Sequence, residues 1–92
     1  MKYFDWDDAK NKKLKKFRNI SFEEALFSIS SDKLLDIIIQ PNQTKYPNQK
    51  VFVVEISNYA YFVPFIEDEE KYFLKTIYPS RAATKHYLSE RK

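Results

Sequence analysis

Arg81 is the residue whose position speaks most directly of chemistry. It follows Ser80, an expected helix N-cap, so it falls in the first turn of the last expected helix. A cation there opposes the helix dipole by ~0.3–1 kcal/mol. An anion placed at that point would satisfy the guanidinium and the free helix N–H groups together. Lys85 lies one turn further on and extends the same patch, and Lys75, in the last expected strand, can point toward it. The alternative is an exposed Arg81 paired with a carboxylate of the acidic run Glu67-Asp68-Glu69-Glu70. His86, the single imidazole, sits about 140° round the helix from Arg81 and does not converge with it. It reads as a surface residue.

Other chemistry is removed by what is missing. There is no cysteine, which excludes disulfides, thiolate metal sites and thiol nucleophiles, and one His cannot build a His-rich metal site. There is no glycine, although average usage of ~7% would supply about six. Walker loops, dinucleotide fingerprints and nucleophile elbows need glycine where backbone meets phosphate or turns sharply, so those enzyme classes drop out. No serine has a His-Asp relay around it, and the acidic run lacks the glycine-containing frame of a calcium loop. Neither a metal nor another cofactor is expected. Trp6, the only tryptophan, either stacks on a base or anchors the core, and the Tyr59/Tyr61 and Tyr72/Tyr78 pairs likewise read as cross-strand packing or as nucleobase platforms.

The elements that must position these groups fit one domain over residues 1–92. With 43% hydrophobic and 17% aromatic residues the chain supplies one core. Net charge is +3, in blocks. Residues 1–20 carry +4, residues 21–70 carry −6 and residues 71–92 carry +5. If the fold brings the basic ends together, one face becomes a patch for polyanion; otherwise these are solvated helix faces.

Tyr3-Phe4-Asp5-Trp6 reads as a first strand, followed by a helix over about Asp8 to Arg18 capped by Asp7 or Asp8. Lys10, Leu14 and Phe17 share a stripe, with Lys12, Lys13, Lys15 and Lys16 spread over the remainder. Asn19 is the expected C-cap in place of glycine. Ser21 and Glu24 form a capping box with Ile20 and Ala25 at staple positions, opening a helix over about Phe22 to Ser30 whose buried face is Phe22, Ala25, Leu26 and Ile29. Strands follow at Leu34 to Gln40, Val51 to Ile56, Tyr59 to Ile66 and Tyr72 to Tyr78. Ser57-Asn58 is a two-residue hairpin turn, and Pro64 implies an edge or a bulge. A final helix covers about Arg81 to Glu90. The order β-α-α-β-β-β-β-α predicts an α+β domain, an antiparallel sheet of four to five strands with its helices on one face or end. No apolar run reaches the ~18–20 residues that span a bilayer, and no signal-peptide core opens the chain, so a soluble, cytoplasmic protein is expected.

The ordered string Phe4-Asp5-Trp6-Asp7-Asp8-Ala9-Lys10, then Ile20-Ser21-Phe22-Glu23-Glu24-Ala25, resembles the N-terminal signature of BrnT-type toxins, spacing included. Ile77-Tyr78-Pro79-Ser80-Arg81-Ala82-Ala83-Thr84, with Tyr87 following, is similar to the closing motif of that family. The resemblance spans nearly the whole chain. It implies a RelE/ParE-like fold and the toxin of a bacterial type II toxin–antitoxin pair. Such a toxin would be a metal-independent endoribonuclease, held by a cognate antitoxin of ribbon-helix-helix type in a hetero-oligomer that meets operator DNA only through the antitoxin. The reaction implied is attack of an RNA 2′-OH on its own phosphate, with cations stabilising the charge on the phosphoryl oxygens. Matched by position, Arg81 is the transition-state clamp, Lys50 a second phosphate contact and Lys10 an electrostatic contact. Trp6, Lys15, Lys75 and Lys85 are the implied RNA-binding residues.

The chain departs from the family pattern in three places. Phe17-Arg18-Asn19 stands where Lys-His-Gly is usual, Leu14 where an Asn is common, and Lys50 where relatives tend to have Arg, a point charge in place of a bidentate fork. A toxin-like protein that binds antitoxin, nucleic acid or gyrase without cleaving, and a plain nucleic-acid module using the basic ends, are the other readings.

Overall fold

The structure is a computed structural model that describes residues 2–89. Its elements are β1 (Tyr3–Trp6), α1 (Asp8–Arg18), α2 (Phe22–Ile29), β2 (Leu34–Ile39), β3 (Lys50–Ile56), β4 (Tyr59–Glu67), β5 (Lys71–Leu74), β6 (Tyr78–Pro79) and α3 (Arg81–Leu88). The fold is α+β, as the element order requires. The expected end of the last helix at Glu90 lies outside the described residues.

Local chemistry sets the helix limits. Asp7 caps α1 by accepting from the Ala9 N–H, and Ser21 and Ser80 cap α2 and α3 through the Glu24 and Ala83 N–H groups. Asn19 ends α1 in the left-handed region (φ 55°), where a glycine would otherwise stand. Ser57 and Asn58 both take positive φ (54° and 66°), the geometry of a type I′ turn, and they set the β3–β4 register. Phe52 faces Val63, Val54 faces Tyr61 and Ile56 faces Tyr59, as the alternation of those residues demands.

The sheet runs β1-β5-β4-β3-β2, with β6 also on β4. It is mixed rather than antiparallel, because β1 joins the outer edge of β5 in parallel. That placement delivers Phe4 and Trp6 to the same core as Phe52 and Tyr72, and Lys71 Nζ reaches Asp5 Oδ2 at 3.1 Å between the paired strands. The last expected strand is broken into β5 and β6, which brings the strand number to six among the described residues. The break explains how Pro64 sits inside β4: its carbonyl accepts from the Lys75 N–H at 2.8 Å, so its missing N–H falls beside the interrupted segment 75–77 rather than in a continuous ladder.

The helices occupy both faces, not one. Val51, Phe52, Val53 and Val54 are all buried, so β3 needs cover on each side. Leu14, Ile20, Phe22 and Ala25 from the N-terminal helices pack with Phe52, Val54, Val63, Phe65, Leu74 and Ile77. On the other face Ala83, Tyr87 and Leu88 of α3 meet Val53, Ala60 and Phe62. α1 contributes little to this packing: Leu14 is buried, but Phe17, expected on the same stripe, is 73% exposed.

What holds α1 in place is polar. Asn11 is buried; its Oδ1 accepts from the Phe22 N–H at 2.8 Å and its Nδ2 donates to Glu23 Oε1 at 2.9 Å. Replacing Asn11 by Ala leaves a buried N–H unsatisfied, so Asn11→Ala should lower stability by about 1–3 kcal/mol. Urea denaturation of the two proteins measures it, and an unchanged midpoint would contradict this role.

Candidate nucleic-acid interface

α1 carries Lys10, Lys12, Lys13, Lys15, Lys16 and Arg18 against a single acid, Asp8. It ends where the Asn19 N–H turns back onto the Leu14 carbonyl. That turn leaves Arg18 at the rim of the sheet, where its Nη1 donates to the Ile77 carbonyl at 2.7 Å, across 59 positions of sequence. Arg18, Tyr61, Tyr78 and Pro79 line a cleft of about 440 Å3. Arg18 also closes a second cleft of about 200 Å3 with Lys10, Lys13, Leu14 and Phe17. Arg18 is the residue that the two hollows share. Tyr61 and Tyr78 are half-buried and held edge-to-face, Tyr61 on Tyr59 at 5.9 Å and Tyr78 on Phe62 at 5.7 Å.

The residues singled out in the sequence are dispersed. Arg81 is exposed at the first position of α3, two residues past the cleft wall at Pro79. Lys85 is exposed on the same helix. Lys75 lies just beyond β5 rather than within it. Its Nζ is over the Phe73 ring at 5.5 Å, and it lines a separate cleft of about 240 Å3 with Gln40, Tyr46, Gln49, Pro64, Thr76 and Tyr78. Lys50 is 3.8 Å from Glu67 Oε1. It pairs with Phe65 of β4 whereas Pro79 pairs with Tyr61, four residues or ~13 Å along the strand. No contact among the described residues joins Arg81 to Lys10 or Lys50. Lys15 is 3.7 Å from Glu23. Trp6 stacks on Phe22 at 5.5 Å and packs, partly buried, against the main core, as an anchor would.

The acidic segment is engaged with the fold. Glu67 is held by Lys2 and Lys50, which keep its carboxyl below the usual range. Asp68 accepts from the Glu70 and Lys71 N–H groups at 2.8 and 2.9 Å, organises the turn and is lowered in consequence. Neither carboxylate reaches Arg81 or Arg18. At the far end of α3, the Tyr87 hydroxyl donates to Asp36 Oδ2 at 2.6 Å, and the second oxygen of Asp36 accepts from the Ile37 N–H at 2.8 Å. These bonds hold the Asp36 carboxyl below its ordinary value and push the Tyr87 phenol up. His86 stands edge-on to Tyr87 at 4.6 Å.

Arg18, which lines two clefts, and Asn11, which ties α1 to α2, are the residues that reading by motif passed over. Arg18 entered only as a departure from a family pattern. Its signal was present as the last cation of a basic helix, directly before a left-handed cap. No family model, curated protein or solved structure matches this chain.

The Asp36–Tyr87 contact has a pH consequence. A depressed carboxylate contributes stability that is present above its unfolded pKa and is lost as pH falls through its folded pKa. A raised phenol contributes stability that is present below its unfolded pKa and is lost as pH rises through its folded pKa. Asp36→Asn should therefore flatten both the acid limb below the usual carboxylate range and the alkaline limb above the usual phenol range. Thermal melts across pH check this; parallel profiles for the two proteins would contradict it.

Proposed function

We propose that this protein is an RNA-directed toxin of the BrnT type, of RelE/ParE-like fold, and that it engages single-stranded RNA along α1. The observation that carries the reading is the surface of that helix: six cations to one acid, with Phe17 exposed among them. Phosphates track cations, and bases stack on open aromatic rings. The resemblance of the first and closing motifs to BrnT-type toxins supplies the class.

In the reaction such a toxin would perform, the 2′-oxygen attacks the adjacent phosphorus as its proton leaves. The bond from phosphorus to the 5′-oxygen breaks, and the leaving oxygen takes up a proton. The products are a 2′,3′-cyclic phosphate and a 5′-hydroxyl. Arg81, exposed at the start of α3 and without a carboxylate among the described residues, is the cation free to clamp the phosphoryl oxygens. Lys10 adds charge from the α1 side. Lys50 contributes only on leaving Glu67. Exposed Phe27, Ile37 and Ile39 offer apolar surface to an antitoxin. A second reading, RNA binding without cleavage, draws support from the separation of Lys50 from Arg81.

Induction in cells should arrest growth, co-expression of a cognate ribbon-helix-helix antitoxin should relieve it, and mapped RNA ends should show new 5′-hydroxyl termini. Arg81→Ala should abolish those termini while RNA binding persists. Arrest with intact RNA would instead favour the binding reading.

Affinity for a single-stranded oligoribonucleotide should fall steeply with salt. Lys10→Ala with Lys13→Ala should make the log–log slope shallower by ~1.4, two phosphates at ~0.7 each. A slope unaltered by the pair would place the RNA elsewhere.

A further inference from the structure

We propose that the cleft walled by Arg18, Tyr61, Tyr78 and Pro79 is a nucleobase pocket that selects guanine within the bound strand. This rests on the RNA reading above and assigns a specificity site to it.

The cleft of about 440 Å3 lies within the ~300–1,000 Å3 range of small-molecule sites. Two half-buried tyrosines supply ring surface, and each makes an edge-to-face contact with another aromatic ring. Neither tyrosine hydroxyl forms a hydrogen bond among the described residues, although both rings are partly enclosed. The guanidinium of Arg18 is fixed by one N–H to the Ile77 carbonyl. A guanidinium carries five such donors, so four remain. No carboxylate neutralises it among the described residues.

A positioned guanidinium prefers a partner with two adjacent acceptors on one edge. Guanine offers O6 and N7 on a two-ring base; adenine and uracil offer no such adjacent pair, and cytosine offers one, N3 and O2, only on a single ring with less surface for the tyrosines. Arg18 also lines the hollow that holds Lys10 and Lys13, and those lysines are the candidate partners for the phosphate flanking a base in the tyrosine cleft. Arg81 follows Pro79 by two residues in sequence but is not part of the cleft wall.

The test uses the whole protein and four hexamers carrying 2′-O-methyl groups, so that none is cleaved: all-uridine, and uridine with one central guanosine, adenosine or cytidine. Binding is followed by fluorescence anisotropy. The guanosine hexamer should bind about tenfold tighter than the others. Arg18→Lys, which keeps the charge but not the two-pronged donor, should erase that preference, so that the guanosine hexamer binds no tighter than the adenosine one. Tyr78→Ala should weaken the guanosine complex by about ten- to a hundredfold, and Tyr78→Phe should keep most of it. Thermal melts of each variant verify that it is folded. Equal affinity for all four hexamers, or a guanosine preference that survives in folded Arg18→Lys, overturns the pocket and leaves the RNA reading standing. No binding of any hexamer by the wild-type chain overturns both.

Discussion

One hydrogen bond joins the two halves of the proposed surface: the Arg18 guanidinium on the Ile77 carbonyl. It lies at the rim where the last sheet strand is interrupted, and it draws the end of a helix with a meagre apolar face onto the segment that leads into α3. α1 buries Leu14 and Asn11 and leaves its lysines in solvent. Such a helix cannot be docked by hydrophobic contact alone. The Asn11 pair of bonds holds its middle and the Arg18 bond holds its end. Without the second, the basic helix and the β6 rim would be two unrelated surfaces.

The interruption between β5 and β6 is equally consequential. A continuous last strand would have carried its ladder past Pro64, which has no N–H to give. By leaving the ladder at Lys75 and rejoining it at Tyr78, the chain accommodates the proline and frees the Ile77 carbonyl for Arg18. It also sets Tyr78 between two clefts, one holding Arg18 and the other Lys75. A packing irregularity at one residue thus accompanies the cleft in which the base pocket is proposed.

Much of the fold was legible because its signals are local. Asp7, Ser21 and Ser80 each cap the helix they precede, and Ser57-Asn58 makes its hairpin, since caps and turns depend on a few neighbouring atoms. The parallel attachment of β1, the helices on both faces and the split of the last strand were not legible. Each is decided by contacts distant in sequence: Phe4 with Phe52, Ala83 with Val53, Arg18 with Ile77. The site divided in the same way. Cationic helix faces can be read from charge runs, so α1 and Arg81 stood out. Which cations are spent on the fold cannot be, because that is set by three-dimensional pairing; Lys50 with Glu67 and Lys15 with Glu23 emerged only with the tertiary structure. Trp6, open to two readings as sequence, stacks on Phe22 and packs partly buried against the main core.

The continuity of α1 with the β6 rim is tested most directly by ultraviolet cross-linking of the protein to single-stranded RNA, with the attached peptides located by mass spectrometry. Cross-links at Phe17, Tyr61 and Tyr78 together are the predicted result. Cross-links confined to Tyr46 and Phe73, around the separate Lys75 cleft, would contradict it.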